Sequence, residues 1–318
     1  MTLSPSLQAG IDELTRGVGS KQLEQSAKAL SDAYRTGGTA ASRAAHTAAE
    51  VAAYLATRAP ATYAAAAEVF RQTSIIRPSF EPSSLLDLGA GPGIAAWAAT
   101  EAWPRIVTAS LVEAESEMVR AGKSLAVHET GALGVATWAV TDAGAAGSQA
   151  DLVIASYVLG ELEPRSLVSF IRNAWARTAD TLVIVEPGTT AGYERVLTAR
   201  DAVIAAGGTT LAPCPHDAPC PLPEGDWCHF ATRLPRSRTH RIAKGAERGF
   251  EDEKFAYVVL CRSPHARPEA RVIRRPDLRP GHVVLDLCAP SGVEQRTVSR
   301  REGDDYRRAR KVGWGDAL

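Results

Sequence analysis

Three of the chain's five cysteines, Cys214, Cys220 and Cys228, fall in the stretch APCPHDAPCPLPEGDWCHF (residues 212–230), spaced C-x5-C-x7-C. Prolines flank the first two, so the stretch cannot build a regular helix or strand and holds its thiols in a loop at little entropic cost. Thiolates at such intervals can converge on one metal centre, although the spacing differs from the C-x2-C knuckles of zinc modules. A fourth ligand is then needed. His216 lies between the first two cysteines, His229 directly follows the third, Cys261 sits in the apolar run AYVVLCR, and Cys288 closes the run DLC before a Pro-Ser-Gly turn. Adjacent residues rarely ligate one ion, and a cysteine within an apolar strand is commonly a buried, inert thiol. Cys288, presented at a strand end, is the favoured fourth ligand. Four thiolates suit either a structural zinc or a [4Fe–4S] cluster.

A second constellation lies upstream. LLDLGAGPG (85–93) is an apolar run ending in Asp87 and followed by Gly89, Gly91 and Gly93 with small residues between. Glycines let a backbone turn sharply and approach a ligand, while the helix that follows points its positive end at it. Twenty residues on, Glu113 ends the run TASLVE, where an acid suits a ribose diol. A dinucleotide would call for G-x-G-x-x-G; the D-x-G-x-G-x-G found here matches the S-adenosylmethionine class. Asp142, in AVTDA, sits where that class holds the adenine amino group, an Asp solvated in a loop being the plainer alternative.

No catalytic residue is identified. The chain lacks an Asn/Asp-Pro-Pro-Tyr/Phe tetrapeptide, and neither Cys261 nor Cys288 has the context of a C5-methylating nucleophile. Glu186, in VEPGT, stands at a strand end facing the substrate side, as a base or as a brace for its loop.

These residues need elements to position them. Residues 7–75 are Ala-rich with apolar residues at helical spacing, broken at Gly37-Gly38 and at Pro60, and predict a helical N-terminal domain over 1–77. From residue 78 to 263, short apolar runs alternate with Ala-rich segments, as a doubly wound α/β sheet requires; this is the expected Rossmann-like domain, the Cys-rich loop 212–230 included. Residues 264–318, with RVIRRP and HVVLDLCAP between Pro and Gly, predict a small basic β-rich module. The 318 residues suffice for a substantial core, and no run approaches the about 18 apolar residues of a membrane span. The start carries no basic-then-apolar signal, which points to a cytoplasmic protein, where structural disulfides are uncommon. Zero formal charge hides an asymmetry: residues 233–318 carry 20 Lys and Arg against 12 Asp and Glu, whereas residues 1–232 carry 16 against 24. A basic module attracts phosphate backbones, a solvated Arg-rich surface being the alternative.

LLDLGAGPG, ASYVLGEL, VEPGT, PCPHDAPCPL, DWCHF and the ending RRARKVGWGD together resemble the methyltransferase-like family of the mitochondrial small ribosomal subunit and its bacterial homologues, from about residue 50 onward. The resemblance implies an S-adenosylmethionine methyltransferase fold, with Asp87, Gly89, Gly91, Gly93 and Glu113 in the cofactor segment. It also implies a four-cysteine iron–sulfur cluster on Cys214, Cys220, Cys228 and Cys288, and binding to small-subunit rRNA and proteins during assembly. RRARK (307–311) would supply phosphate contacts. No mitochondrial presequence is recognised, so a bacterial-type cytosolic member, monomeric off the ribosome, is expected.

Overall fold

A computed structural model describes residues 2–36, 46–144, 148–245 and 247–318. The expected Gly37-Gly38 break lies outside the described residues. Among the described residues, four helices come first: α1 (Pro5–Arg16), α2 (Ser20–Thr36), α3 (Ala48–Thr57) and α4 (Ala59–Ile76). Local chemistry sets their ends. Thr47 and Glu50 close a reciprocal capping box at the start of α3, and Pro60 sits in the first turn of α4, where its missing N–H costs nothing.

A mixed sheet follows. Strands β1 (Ser84–Leu88), β2 (Thr108–Glu113), β3 (Thr137–Val140), β4 (Ala150–Ser156) and β5 (Thr178–Pro187) run parallel, linked by α5 (Ile94–Ala102), α6 (Ser116–Leu125) and α7 (Leu167–Ala176). After α8 (Thr190–Ala205) come β6 (Thr209–Ala212), β7 (Phe230–Pro235), α9 (Arg238–Lys244) and β8 (Phe250–Cys261). The strand order is β3-β2-β1-β4-β5-β8-β6, with β7 also on β8. β8, the late strand expected at 253–262, runs antiparallel to β5.

The strands read as near-continuous apolar runs because both faces are covered. Alternate residues point to opposite sides. Leu85, Ile154, Val183 and Val185 meet Leu7, Leu55, Phe70 and Trp97 of α1, α3, α4 and α5 on one face. Leu86, Val153, Leu182 and Ile184 meet Phe170, Trp175, Val196 and Val203 of α7 and α8 on the other.

Both β6 and β7 pair antiparallel with the same edge of β8, β6 with Val259 to Cys261 and β7 with Phe250 to Phe255. They form one strand interrupted by a loop. Residues 213–229, the Cys-rich segment, bulge out where β8 runs through only Ala256, Tyr257 and Val258. A second sheet holds β9 (Arg271–Val272), β10 (Asp277–Arg279), β11 (His282–Ala289) and β12 (Gly292–Ser299), closed by α10 (Asp304–Ala309) around a small core of Val272, Leu285, Leu287, Val298 and Tyr306.

Candidate functional site

Two sites stand on the sheet. The first lies where strand order reverses between β1 and β4, the usual ligand crevice of open α/β sheets. Gly89, Gly91 and Gly93 all have positive φ, and a Cβ on Gly89 would come within 2.4 Å of Val158, so no other residue fits that turn. The cavity beside the loop is lined by Gly89, Glu113, Asp142, Glu161 and Asn173, among others. Of the residues singled out for a nucleoside, Gly89, Glu113 and Asp142 therefore share one cavity, while Asp87 is buried under the loop. The Glu113 carboxylate accepts the Gly91 amide at 2.7 Å and the Glu115 amide at 2.8 Å, tying β2 to the glycine loop. Burial raises the Glu113 pKa and pushes Asp87 up to about 7.

Glu186, at the end of β5, is fully buried. It accepts the Leu159 amide at 2.9 Å and faces Arg195 at 3.3 Å. Both oxygens are engaged, so of its two expected roles the geometry favours the brace. Burial still holds it at about 7 against the pull of Arg195. Sequence patterning missed Tyr157. It follows β4 in a left-handed conformation (φ 59°), and its hydroxyl donates to Glu253 at 3.0 Å. Strain of this kind in a non-glycine residue concentrates at functional sites. Glu161 was also missed, since nothing local distinguishes the Glu of VLGEL.

The second site is a cavity between α8, the Cys-rich loop, β8 and the C-terminal sheet. Cys214, Cys220, Cys228 and Cys288 all line it, with Tyr193, Arg200, Tyr257 and Arg271. Of the other candidate ligands, Cys261 and His229 are elsewhere, while His216 borders the cavity without lining it. Cys261 contacts the Ser263 carbonyl at 3.2 Å and His265 Nδ1 at 3.3 Å. His229 stacks on Trp227 and meets Trp314 edge-on. His216 turns Nε2 to Cys288 at 3.7 Å. Among the described residues, no three His, Cys, Asp or Glu side chains close on a point suited to one metal ion. Burial raises the pKa of Cys228 well above its ordinary value, with Cys214, Cys220 and Cys288 adding to the rise. Cys288 is pushed up to about 12 for the same reasons. A cationic centre would reverse that balance and take all four as thiolates.

Two arginines, each 1% exposed, wall this cavity. Arg200 donates to the carbonyls of His216 and Ala218 at 3.0 and 2.6 Å. Arg271 donates to the carbonyls of Pro213 and Gly315 at 2.8 Å each, and to Gln72 at 3.0 Å. Arg200 Nε and Arg271 Nη2 are buried without a hydrogen-bond partner among the described residues. Such N–H groups beside four sulfurs suit thiolate and sulfide acceptors held around a cationic centre. Sequence reasoning missed both arginines. Tyr193, Val196, Leu197 and Arg200 lie one, four, five and eight along the same helix face, and that lone charge on an apolar stripe was the available signal.

Strand order, the glycine loop after β1 and the acid ending β2 define an S-adenosylmethionine methyltransferase fold of Rossmann type. A model of the mitochondrial small ribosomal subunit Rsm22 family matches residues 48–318, and the chain belongs to that family. It is 32% identical over 289 residues to the human mitochondrial ribosome assembly protein METTL17, covering 83% of this chain and 61% of that one. It is 27% identical over 321 residues to the mitochondrial Rsm22-cox11 tandem protein 2 of Schizosaccharomyces pombe, covering 84% of this chain and 43% of that one. The chain thus spans less than two thirds of either relative. Similar solved structures include the magnesium protoporphyrin IX methyltransferase of Synechocystis with bound S-adenosylmethionine (13% identity, 64% of this chain, 80% of that chain, TM-score 0.43). A putative RNA methyltransferase of Pyrococcus horikoshii is another (14% identity, 62% of this chain, 81% of that chain, TM-score 0.41). The expectation of a cytoplasmic protein is overturned: the family model and both relatives are mitochondrial by description. The sequence argument failed because it read a location from the first residues alone. No helix among the described residues is long and apolar enough to cross a membrane.

Proposed function

We propose that this protein is a small-ribosomal-subunit assembly factor that binds rRNA, holds S-adenosylmethionine at the glycine-loop cavity, and carries a [4Fe–4S] cluster on Cys214, Cys220, Cys228 and Cys288. The assembly role is supported by the family and by the human relative, a ribosome assembly protein by name. One observation carries the cluster: four cysteines, three from a loop of the Rossmann domain and one from the C-terminal sheet, line a single cavity walled by two buried arginines. A single zinc draws its thiolates to within about 2.3 Å of one point. Four thiols lining one cavity can ring a cluster as well as a single ion, and Arg200 Nε and Arg271 Nη2, without a partner among the described residues, would suit the cluster's sulfides. A bound cluster would supply charge compensation and a clamp; no reaction is assigned to it.

Protein purified without oxygen is expected to show a broad absorption near 400 nm with about four iron and four sulfide per chain. Cys288→Ser should remove the colour while leaving S-adenosylmethionine binding intact. Colourless protein with one zinc per chain would refute the cluster.

An active rRNA methyltransferase is the second reading, favoured by the intact cavity holding Gly89, Glu113 and Asp142. Against it, the end of β4 and the residues that follow read Ser-Tyr-Val-Leu where a base-amino methyltransferase has Asn/Asp-Pro-Pro-Tyr/Phe, and Glu186 is fully engaged. An rRNA methyl mark that vanishes on deletion and returns with purified protein would establish the enzyme.

A further inference from the structure

The β7–β8 hairpin projects past the ends of the parallel strands. β5 stops at Pro187, opposite Phe255, whereas β8 begins five residues earlier at Phe250 and is paired there with β7 alone. Its root is fixed to the cofactor edge: Tyr157 donates to Glu253, and the Gly188 amide donates to the Lys254 carbonyl at 2.9 Å. The tip, RSRTHRIAKGAERGF (236–250), holds α9 and contains one carboxylate, Glu247.

The acids behind the tip are already neutralised. Glu251 takes Arg236 and Lys244, both at 2.8 Å, and Asp252 takes Arg233 at 2.7 Å. His240 and Ala243 turn inward toward α2 and α3, so Arg238 and Arg241, three apart, share the outer face of α9. Arg238, Arg241 and Arg248 are exposed, and none has a carboxylate partner among the described residues. The tail behaves differently at Arg307 and Arg308, which are paired with Asp304 and Asp305.

We propose that the β7–β8 hairpin is an RNA-binding surface in which Arg238, Arg241 and Arg248 contact phosphates and hold the strand over the carboxyl edge of the sheet. The assignment rests on the rRNA-binding reading above. Three unpaired guanidiniums on one projecting tip match the spacing-tolerant, multivalent charge of a polynucleotide. An outward charge without a partner costs little in water and becomes useful only when an anion arrives. The site also has a mechanical root, because β7 starts two residues after Cys228.

The test is a salt titration of binding to a structured fragment of small-subunit rRNA, with the full chain, R238Q/R241Q/R248Q and R307Q/R308Q. Losing three phosphate contacts should lower the slope of log affinity against log salt by about 2 and weaken binding on the order of tenfold near 0.15 M salt. The R307Q/R308Q variant, whose arginines already have partners, should change the slope by less than about 1. Melting temperature and S-adenosylmethionine affinity should stay at wild-type values in both. If wild type binds the fragment and the triple variant matches its affinity and slope, the hairpin assignment is wrong and the rRNA reading survives. If wild type prefers anionic phosphatidylglycerol vesicles or fails to bind RNA, both fall.

Discussion

Glu161 shows how one side chain in the glycine-loop cavity can serve binding at a cost in stability. Burial, then the carboxylates of Glu113, Glu186 and Glu115, push it up to about 8 from an ordinary value of 4.5. Between those values the folded protein keeps a proton that the unfolded chain has lost. Stability from this group is therefore complete below about pH 4.5, falls as pH rises, and is gone above about 8. Glu161→Gln should match wild type near pH 4 and exceed it at pH 8.5 by on the order of 1 kcal/mol, about 2–4 °C in Tm. The same change should weaken S-adenosylmethionine about tenfold and S-adenosylhomocysteine less, since only the former brings a sulfonium charge to the carboxylate. Calorimetry and thermal melts across pH check both, and equal loss for the two nucleosides would discard the electrostatic account. At this scale the residues readable in advance were those whose chain spacing fixes their place: Gly89, Glu113 and Asp142 fall in one cavity because a strand-turn-helix-strand unit has a set length. Arg271 was unreadable, lying in a run of arginines where nothing marks the buried one.

The interrupted strand is the informative element. An uninterrupted β6–β7 would hydrogen-bond β8 throughout; the Cys-rich insertion exchanges the middle of that ladder for a loop pinned from three sides. Arg200 of α8 holds the carbonyls of His216 and Ala218, Arg271 of β9 holds that of Pro213, and Trp227 Nε1 donates to the Gly188 carbonyl at 3.1 Å. β7 is short and lies at the sheet's edge, so its order depends on what precedes it. Cys228→Ser should raise amide exchange in Phe230–Pro235 about tenfold or more, with β1 and β2 unchanged. Uniform exchange changes across the sheet would mean a folding defect instead. Arg200→Met, which keeps the packing volume but removes the donors, should free the 216–218 carbonyls and reproduce part of that effect. The proline-fenced cysteines announced a loop; that it splits an edge strand was not readable, because β6 and β7 are short and lack any run of their own.

For the whole molecule, the question is what joins the C-terminal sheet to the Rossmann body. Its own core is small; Arg271 reaches across in buried bonds to the Pro213 carbonyl and Gln72, and around it lie lesser contacts: Arg274 to Asp226 at 2.5 Å, Gln72 to Asp316 at 3.4 Å, Trp314 against His229, and Gly315 against Phe230. Such contacts, solvated at their edges, contribute little each. The four-cysteine cavity is the place where the two parts share something stronger, because Cys288 comes from β11 and the other three from the loop. A ligand bound by the folded state alone stabilises it by mass action, and here it would also couple two units that otherwise open independently. If the proposed cluster is bound, the protein is therefore expected to melt in one calorimetric transition. Removing the iron with a chelator should split this into two, the lower one belonging to residues 264–318. RNA affinity should fall on the order of tenfold as the module loosens, while S-adenosylmethionine affinity stays within about twofold, since the glycine loop is built on β1 and β2 at the opposite side of the sheet. A single transition after iron removal, with RNA binding unchanged, would show that the packed contacts around Arg271 and Trp314 suffice and that the cysteines do not clamp the two parts.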